Sequence, residues 1–332
     1  MIVITRSDIV TRITYAYEHA QKTAGGPRKT PFEYSPAFSA HSGARVYLKC
    51  EHQQFTGSFK FRGALNKILN LNSEQRMAGV IAASTGNHGM GVARAAQIQG
   101  VDAVIYVPAT ASTMKLAAIE HMGAEIVKVN GNCLDAELQA RKDALAENKT
   151  FISPYNDVDV MAGQGTIAVE MTEQLEHLDA LYIAVGGGGL IGGIGSYFKQ
   201  YRKNTRIVGC WPEAAPAMLR CLEAGRVIDV LEENTLSDAT AGGVEPGSIT
   251  FPVCQDVIDD RVTVSEEEIA EAMLLMAEKE NWMVEGSVGV ALAACLKETP
   301  KYQNKNVAVL VCGRNIDTTK FLSVFANYPS SS

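Results

Sequence analysis

The sequence predicts an α/β protein of two doubly wound domains with mainly parallel, open sheets, and three observations carry that class. Strand-like apolar runs alternate with helical runs from residue 79 to 154, and a second alternation runs from about 160 to 313. The turn GGGGLIGG, residues 186–193, leaves one such strand and opens a helix, as ligand-binding turns of doubly wound sheets do. The 332 residues are enough for two such domains, facing each other across a cleft where strand ends meet.

Each element follows in chain order. TGSFKFRGA, residues 56–64, starts an amphipathic helix with Lys60 in its first turn, between Phe59 and Phe61. GVIAAS (79–84) is a buried strand, NHGMGVARAAQIQG its helix, DAVIYVP the next strand and STMKLAAIEHMG the next helix. AEIVKVNG is a third strand. CLDAELQARKDALAENK is a third helix, with charge pairs four residues apart on its wet face, and FISP returns to the sheet. Residues 51–152 are therefore expected to form a small domain, and residues 1–50 plus 153–332 a larger one. In the larger one a helix near 160–177 precedes the strand LDALYIAVGG and the helix LIGGIGSYFKQYRK. RIVGCWP is a strand and APAMLRCLEAG a helix; SEEEIAEAMLLMAEKEN and GVALAACLKE are helices, and NVAVLVCG (306–313) is the closing strand. Beyond a short PSSS tail there is no low-complexity segment, and TAGGPRKTP and TAGGVEPGS are too short to be free linkers.

Bulk properties exclude several classes. The formal net charge is −7 and lysine and arginine form no long run, against a nucleic-acid groove or an anionic membrane surface. Seven cysteines are scattered without a C-x-x-C pair, which fits a reducing compartment and gives no zinc-ligand spacing. MIVITRSDIVTRI carries charges too early for a signal peptide, and no apolar run is long enough to span a membrane. A cytoplasmic protein is expected.

Chemistry concentrates in one lysine and three turns. Lys60 sits at the positive end of its helix dipole beside apolar rings, and both effects favour the uncharged amine that attacks carbonyls. A plain helix-start lysine whose stem passes the two phenylalanines is the bland alternative. The glycines of 186–189 let backbone N–H groups converge on a phosphate at the helix start. Gly187, Gly189 and Gly192 also satisfy a dinucleotide fingerprint, with Glu213 placed for a ribose, and close helix–strand packing is a third reading. The loop STGNHG, Ser84–Gly89, offers hydroxyls, an amide and backbone donors suited to a carboxylate or a phenolate, or else simply caps its helix. VLVCGRN puts Cys312 at a strand end, as a ligand contact or as a buried small apolar residue. Six scattered histidines assemble no Ser-His-Asp set.

A single ligand with a phosphate, an imine-forming aldehyde, a phenolic oxygen and a pyridine nitrogen would use all of these: pyridoxal 5'-phosphate. TGSFKFRGA, ASTGNHGMGVA, AGQGTIAVE, AVGGGGLIGG and VLVCGRN stand in the order found in fold-type-II pyridoxal-phosphate enzymes (tryptophan synthase β-like). The chain resembles their serine/threonine dehydratase (threonine ammonia-lyase) and serine racemase group over nearly its whole length. The resemblance implies that the cofactor lies in the cleft between the domains. Lys60 corresponds to the imine-forming lysine and Phe59 to the residue beside the cofactor ring. Asn87 corresponds to the partner of the phenolic oxygen, Gly186, Gly187, Gly188, Gly189 and Leu190 to the phosphate loop, and Cys312 to the residue at the pyridine nitrogen. Gly243 and Glu285 fall in segments that line the ring. Ser84, Thr85, Gly86 and His88 belong to the loop receiving the substrate carboxylate, and Lys60 and Ser84 are the catalytic candidates. The implied reaction is dehydration and deamination of a 3-hydroxy amino acid, L-threonine first and L-serine second, to a 2-oxo acid and ammonia, in a homodimer.

Departures from the group's pattern temper this reading. CWPEAAPAM replaces the acidic cluster that holds a divalent cation in serine racemases, so no metal is expected there, although a monovalent site stays open. Thr85 stands for the racemases' opposite-face serine, and Tyr155 for an asparagine or phenylalanine. A different 3-hydroxy substrate (3-hydroxyaspartate, phenylserine or a hydroxyectoine-derived amino acid) and a serine racemase are the alternatives. A nicotinamide-dependent oxidoreductase is a distant one, and it leaves SFKFRGA unexplained.

Overall fold

Apolar runs in this chain pair into two sheets, one of six strands and one of four. The computed structural model describes residues 4–111 and 113–328, and for residues 113–115 the backbone only. Ser112 at the start of one expected helix and the PSSS residues lie outside the described residues. The strands are β1 (Phe32–Tyr34), β2 (Arg45–Lys49), β3 (Val80–Ala83), β4 (Ala103–Pro108) and β5 (Glu125–Val129). They continue with β6 (Thr150–Phe151), β7 (Ala180–Ala184), β8 (Arg206–Pro212), β9 (Asp260–Val264) and β10 (Asn306–Leu310). The smaller sheet runs β5-β4-β3-β6 and is parallel throughout. The larger runs β1-β2-β10-β7-β8-β9, parallel except for β1 at its edge.

Alternation along the strands divides the core of the smaller sheet in two. Val80, Ala82, Ile105 and Val107 face a cluster with Phe61, Leu65, Val92 and Ile119, from helices Lys60–Leu69, Asn87–Gln99 and Thr113–His121. Ile81, Val104 and Tyr106 face the other way, onto Ala140 and Ala144 of helix Cys133–Ala146. A sheet covered on both faces needs apolar residues at every position, and this makes its strands legible as unbroken runs.

β1, β2 and β9 were not expected, nor were helices Arg6–Lys22, Pro36–Ser42 and Thr250–Val257. β1 and β9 are edge strands of the six-stranded sheet and include Glu33 and Asp260, Arg261 and Thr263, so neither is an apolar run. β2 ends in Lys49, a fully buried cation, which breaks its apolar pattern.

One helix, Val158–Gln174, joins the two halves of the molecule through glycine. A Cβ on Gly163 would lie 2.6 Å from Gly63 Cα, where this helix crosses the helix that begins at Lys60. On its other side, a Cβ on Gly193 would lie 2.2 Å from Met161 O, which brings in helix Gly189–Tyr201 behind the glycine-rich turn. AGQGT in the sequence is thus the contact that sets the Lys60 helix against the glycine-turn helix. The cysteines are all unpaired, six buried and Cys133 exposed. Among the described residues no helix is long and apolar enough to cross a membrane.

Candidate active site

Seven helices among the described residues carry a side-chain cap at their N-terminus: Thr5, Ser35, Asn72, Asn132, Asp157, Ser265 and Asp317 each accept from the first turn that follows. Helices Ala217–Ala224 and Thr250–Val257 carry none, and neither do four others, helices Lys60–Leu69, Asn87–Gln99, Gly189–Tyr201 and Gly286–Glu298. These four start at the segments singled out in the sequence. Their first-turn N–H groups, at the positive end of each dipole, have no capping side chain, and apart from Gly63 N–H, which donates to Gln164 Oε1 at 3.1 Å, they suit a bound anion.

Backbone contacts knit the four starts around Lys60. Phe59 N–H donates to Cys312 O at 3.1 Å, which ties the Lys60 turn to the exit of β10. Helix Asn87–Gln99 approaches so closely that a Cβ on Gly91 would lie 3.0 Å from the carbonyl carbon of Lys60. Lys60 Nζ donates to Pro154 O at 2.9 Å. The next residue, Tyr155, lies under the glycine turn: a Cβ on Gly187 would meet its ring at 2.4 Å, and one on Gly189 its Cα at 3.0 Å. Gly188 adopts φ +86°, in the left-handed region that only glycine enters freely, and caps the helix with its backbone alone. Thr250 Oγ1 fixes the turn from behind by donating to Gly187 O at 2.6 Å. Leu190 is buried in the core below.

Lys60 is half-buried, with its Nζ 5.3 Å from the centre of the Phe59 ring. Burial lowers its pKa to about 8, and Glu285 and Cys312 offset part of that fall. Asn87 is held by its amide oxygen, which accepts from Asn315 Nδ2 at 2.6 Å, while its Nδ2 donates to Glu285 Oε2 at 2.8 Å. One of the two Nδ2 protons remains free for a further acceptor. Cys312 is buried, its thiol pKa pushed up by desolvation, 3.2 Å from Ser287 Oγ.

In the Ser84–Gly89 loop the hydroxyl of Ser84 does not cap the helix. It accepts instead from Gly86 N at 3.2 Å, within the loop. Ser84, Thr85 and Gly86 are half-buried, with open space where a Cβ on Gly86 would go. The His88 ring is turned away from this opening: it is buried, its Nε2–H donates to Ile152 O at 2.8 Å, and burial lowers its pKa to about 3. His88 is thus a neutral structural histidine in its side chain, and only its backbone amide belongs to the loop. Gly243 stands exposed with no neighbour within 4 Å of a Cβ built on it. Ser287, Asn315 and Thr250 complete the site without having been singled out; each acts through a tertiary contact, and no spacing in the sequence signals it.

A family described as pyridoxal-phosphate dependent enzyme matches residues 23–313, from before the Lys60 helix to the glycine after Cys312. The chain belongs to that family. It is 40% identical over 292 residues to the L-threonine ammonia-lyase of Thermotoga maritima, covering 87% of this chain and 72% of that protein. It is 34% identical over 305 residues to the L-threo-3-hydroxyaspartate ammonia-lyase of a Pseudomonas species, covering 92% and 95%. The solved structure of the processed form of threonine deaminase isoform 2 from Solanum lycopersicum superposes with a TM-score of 0.91 at 31% identity, covering 97% of this chain and 87% of that one. Family membership removes the nicotinamide reading of Gly187, Gly189 and Gly192. Glu213, which that reading placed at a ribose, stands exposed.

The residues fit the family's cofactor. A cradle of glycines closed beneath by Tyr155 suits its phosphate, the spare Asn87 proton suits a phenolate, and the amine of Lys60 loses its charge through about pH 8.

Proposed function

We propose that this chain eliminates the hydroxyl of a 3-hydroxy amino acid, L-threonine first and L-serine second, and releases a 2-oxo acid and ammonia. The observation that carries this reading is the Lys60 amine, easily discharged and enclosed among four uncapped helix starts. Gly186–Gly189 with Leu190 would hold the phosphate of pyridoxal phosphate, Lys60 would take its aldehyde, Asn87 its phenolic oxygen and Cys312 its ring nitrogen, with Phe59 and Glu285 beside the ring and Gly243 on the flanking segment. Bound there, the group supplies an electron sink that acidifies the Cα–H bond of an amino acid.

The chain's own residues do the rest. Backbone N–H groups of the Ser84–Gly89 loop, with the hydroxyls of Ser84 and Thr85, grip the substrate carboxylate and fix the orientation of Cα–H. Lys60 Nζ, uncharged, takes the α-proton as general base. Residues 51–152, the small domain of this reading, close on the rest (1–50 and 153–332) and exclude water. A homodimer and a cytoplasmic location, which unpaired cysteines suit, complete the proposal.

A second substrate, 3-hydroxyaspartate, is favoured by the Pseudomonas relative. A panel of threonine, serine, 3-hydroxyaspartate and phenylserine scored for 2-oxo acid release separates the two. Threonine is expected to lead, with release lost in Lys60→Ala together with the visible absorption band that borohydride bleaches. A yellow protein that releases no 2-oxo acid from any of the four would reject the proposal.

A further inference from the structure

Beside the Lys60 turn three buried side chains are linked in series. Cys312 Sγ lies 3.2 Å from Ser287 Oγ, and Ser287 Oγ donates to Glu285 Oε1 at 2.7 Å. The other carboxyl oxygen, Oε2, is occupied by Asn87 Nδ2 at 2.8 Å. A hydroxyl and a thiol carry one proton each, and an ionised carboxylate only accepts. With Glu285 ionised, the single proton of Ser287 goes to Oε1. The contact between Ser287 and Cys312 then requires the thiol to donate and the hydroxyl to accept. Glu285 Oε1, 3.7 Å from Sγ, draws the thiol proton the same way. The sulfur has only lone pairs left for a group on its open side.

Protonation reverses every link. Because Oε2 accepts from Asn87, the added proton sits on Oε1, where it faces Ser287. The carboxyl O–H then donates to Ser287 Oγ, Ser287 donates to Sγ, and the thiol proton, still on sulfur, turns to the open side. One proton enters from solvent, two hydrogen bonds change direction, and no covalent bond between heavy atoms forms or breaks.

We propose that Glu285 and Ser287 act as a two-state relay that decides whether Cys312 accepts a hydrogen bond from the ring nitrogen of the bound cofactor or donates one to it. Ionised Glu285 makes the sulfur an acceptor, matched to a protonated ring nitrogen; neutral Glu285 makes the thiol a donor, matched to an unprotonated one. The inference rests on the reading of Cys312 as the ring-nitrogen residue. Glu285 and Ser287 are positioning residues here, acting through Cys312. The titratable groups that act on Glu285 are Lys60, whose positive charge favours the carboxylate, and Asp238 and Cys312. Burial raises the carboxyl pKa, so the reversal falls at higher pH than it would for an exposed glutamate.

Infrared spectroscopy of the full chain reads the relay directly, because an S–H stretch falls when the thiol donates. The Cys312 band is the one lost in Cys312→Ala. In the wild-type chain it is expected at the lower, bonded position at neutral pH, moving to higher wavenumber on acidification. Glu285→Gln, whose neutral amide donates to Ser287, is expected to hold the band high at every pH. Ser287→Ala, which leaves the thiol only the longer contact to Glu285 Oε1 at 3.7 Å, should raise it part-way at neutral pH, and Ser287→Thr should restore it. A wild-type band that does not move with pH overturns the relay without any variant having to fold, and so does a band indifferent to Ser287→Ala. In the cofactor-loaded protein the visible band is expected to shift with the same midpoint, a dependence lost in Cys312→Ala. If the infrared shifts appear but the visible band ignores Cys312→Ala, the relay stands and it is the position of Cys312 at the ring that fails.

Discussion

An amine that starts a helix is repelled by the dipole, and one set beside an aromatic ring is short of solvent; Lys60, with its Nζ near Phe59, meets both conditions. Its pKa falls from the ordinary 10.5 to about 8 because burial penalises the ammonium. Between those values the folded chain binds fewer protons at this site than the unfolded one, so this contribution to stability rises as pH climbs from about 8 to 10.5. The same shift governs reactivity. Capture of pyridoxal phosphate by protein stripped of cofactor is expected to accelerate through about pH 8 and level off above it, followed by the growth of the visible band. Acceleration that waits for pH 10.5 would mean an ordinary, hydrated lysine. At this scale the sequence was partly legible. Phe59, Lys60 and Phe61 are neighbours in the chain, so the unusual setting of the lysine can be read locally. The Asn315–Asn87–Glu285 bonds cross more than 190 residues, and nothing in the local pattern announces them. For His88 the loop position left a substrate contact and a structural histidine equally open, and the ring's bond to the backbone of Ile152 matches the second.

Helices and strands were legible where burial is two-sided. VIAA and ALYIA are apolar at every position and lie centrally in their sheets, whereas DRVTV, at an edge, alternates and escaped notice. The helix Val158–Gln174 was expected, but not its role: its glycines permit two neighbouring helices to approach at backbone distance. Gly163→Ala tests that role, because the new methyl would meet Gly63 Cα and Arg62 O, both at 2.6 Å and both backbone. Neither neighbour can rotate aside. A loss of about 1–3 kcal/mol in urea denaturation is expected, the usual cost of overpacking, with weaker retention of cofactor as the Lys60 helix is pushed off. Unchanged stability would show that the two helices do not touch there.

Across the whole molecule, a buried ion network ties the six-stranded sheet to the Lys60 helix. Arg62 spans Glu51, at 2.7 and 2.8 Å, and Glu170 of the central helix, at 2.7 and 3.0 Å. Lys49 at the end of β2 donates to the same Glu170 at 2.6 Å. All four are buried, two cations balancing two anions. Glu170→Gln would strand a buried positive charge, and a loss of about 3–5 kcal/mol is expected by denaturant titration. A cost below 1 kcal/mol, the range of exposed pairs, would imply that water reaches the network. The six-stranded sheet also has a consequence for the order in which the chain can acquire shape during synthesis. Every strand of the smaller sheet comes from one contiguous stretch, residues 80–151, so that sheet can form while translation continues. The larger one cannot, because β10, made after all its other strands, is inserted between β2 and β7 near the middle. Until residues 306–310 leave the ribosome, β2 and β7 face an empty slot, and Cys312 and Asn315 just beyond them are the last pieces of the site to arrive. A nascent chain therefore has Lys60 long before it has a finished place to hold a vitamin.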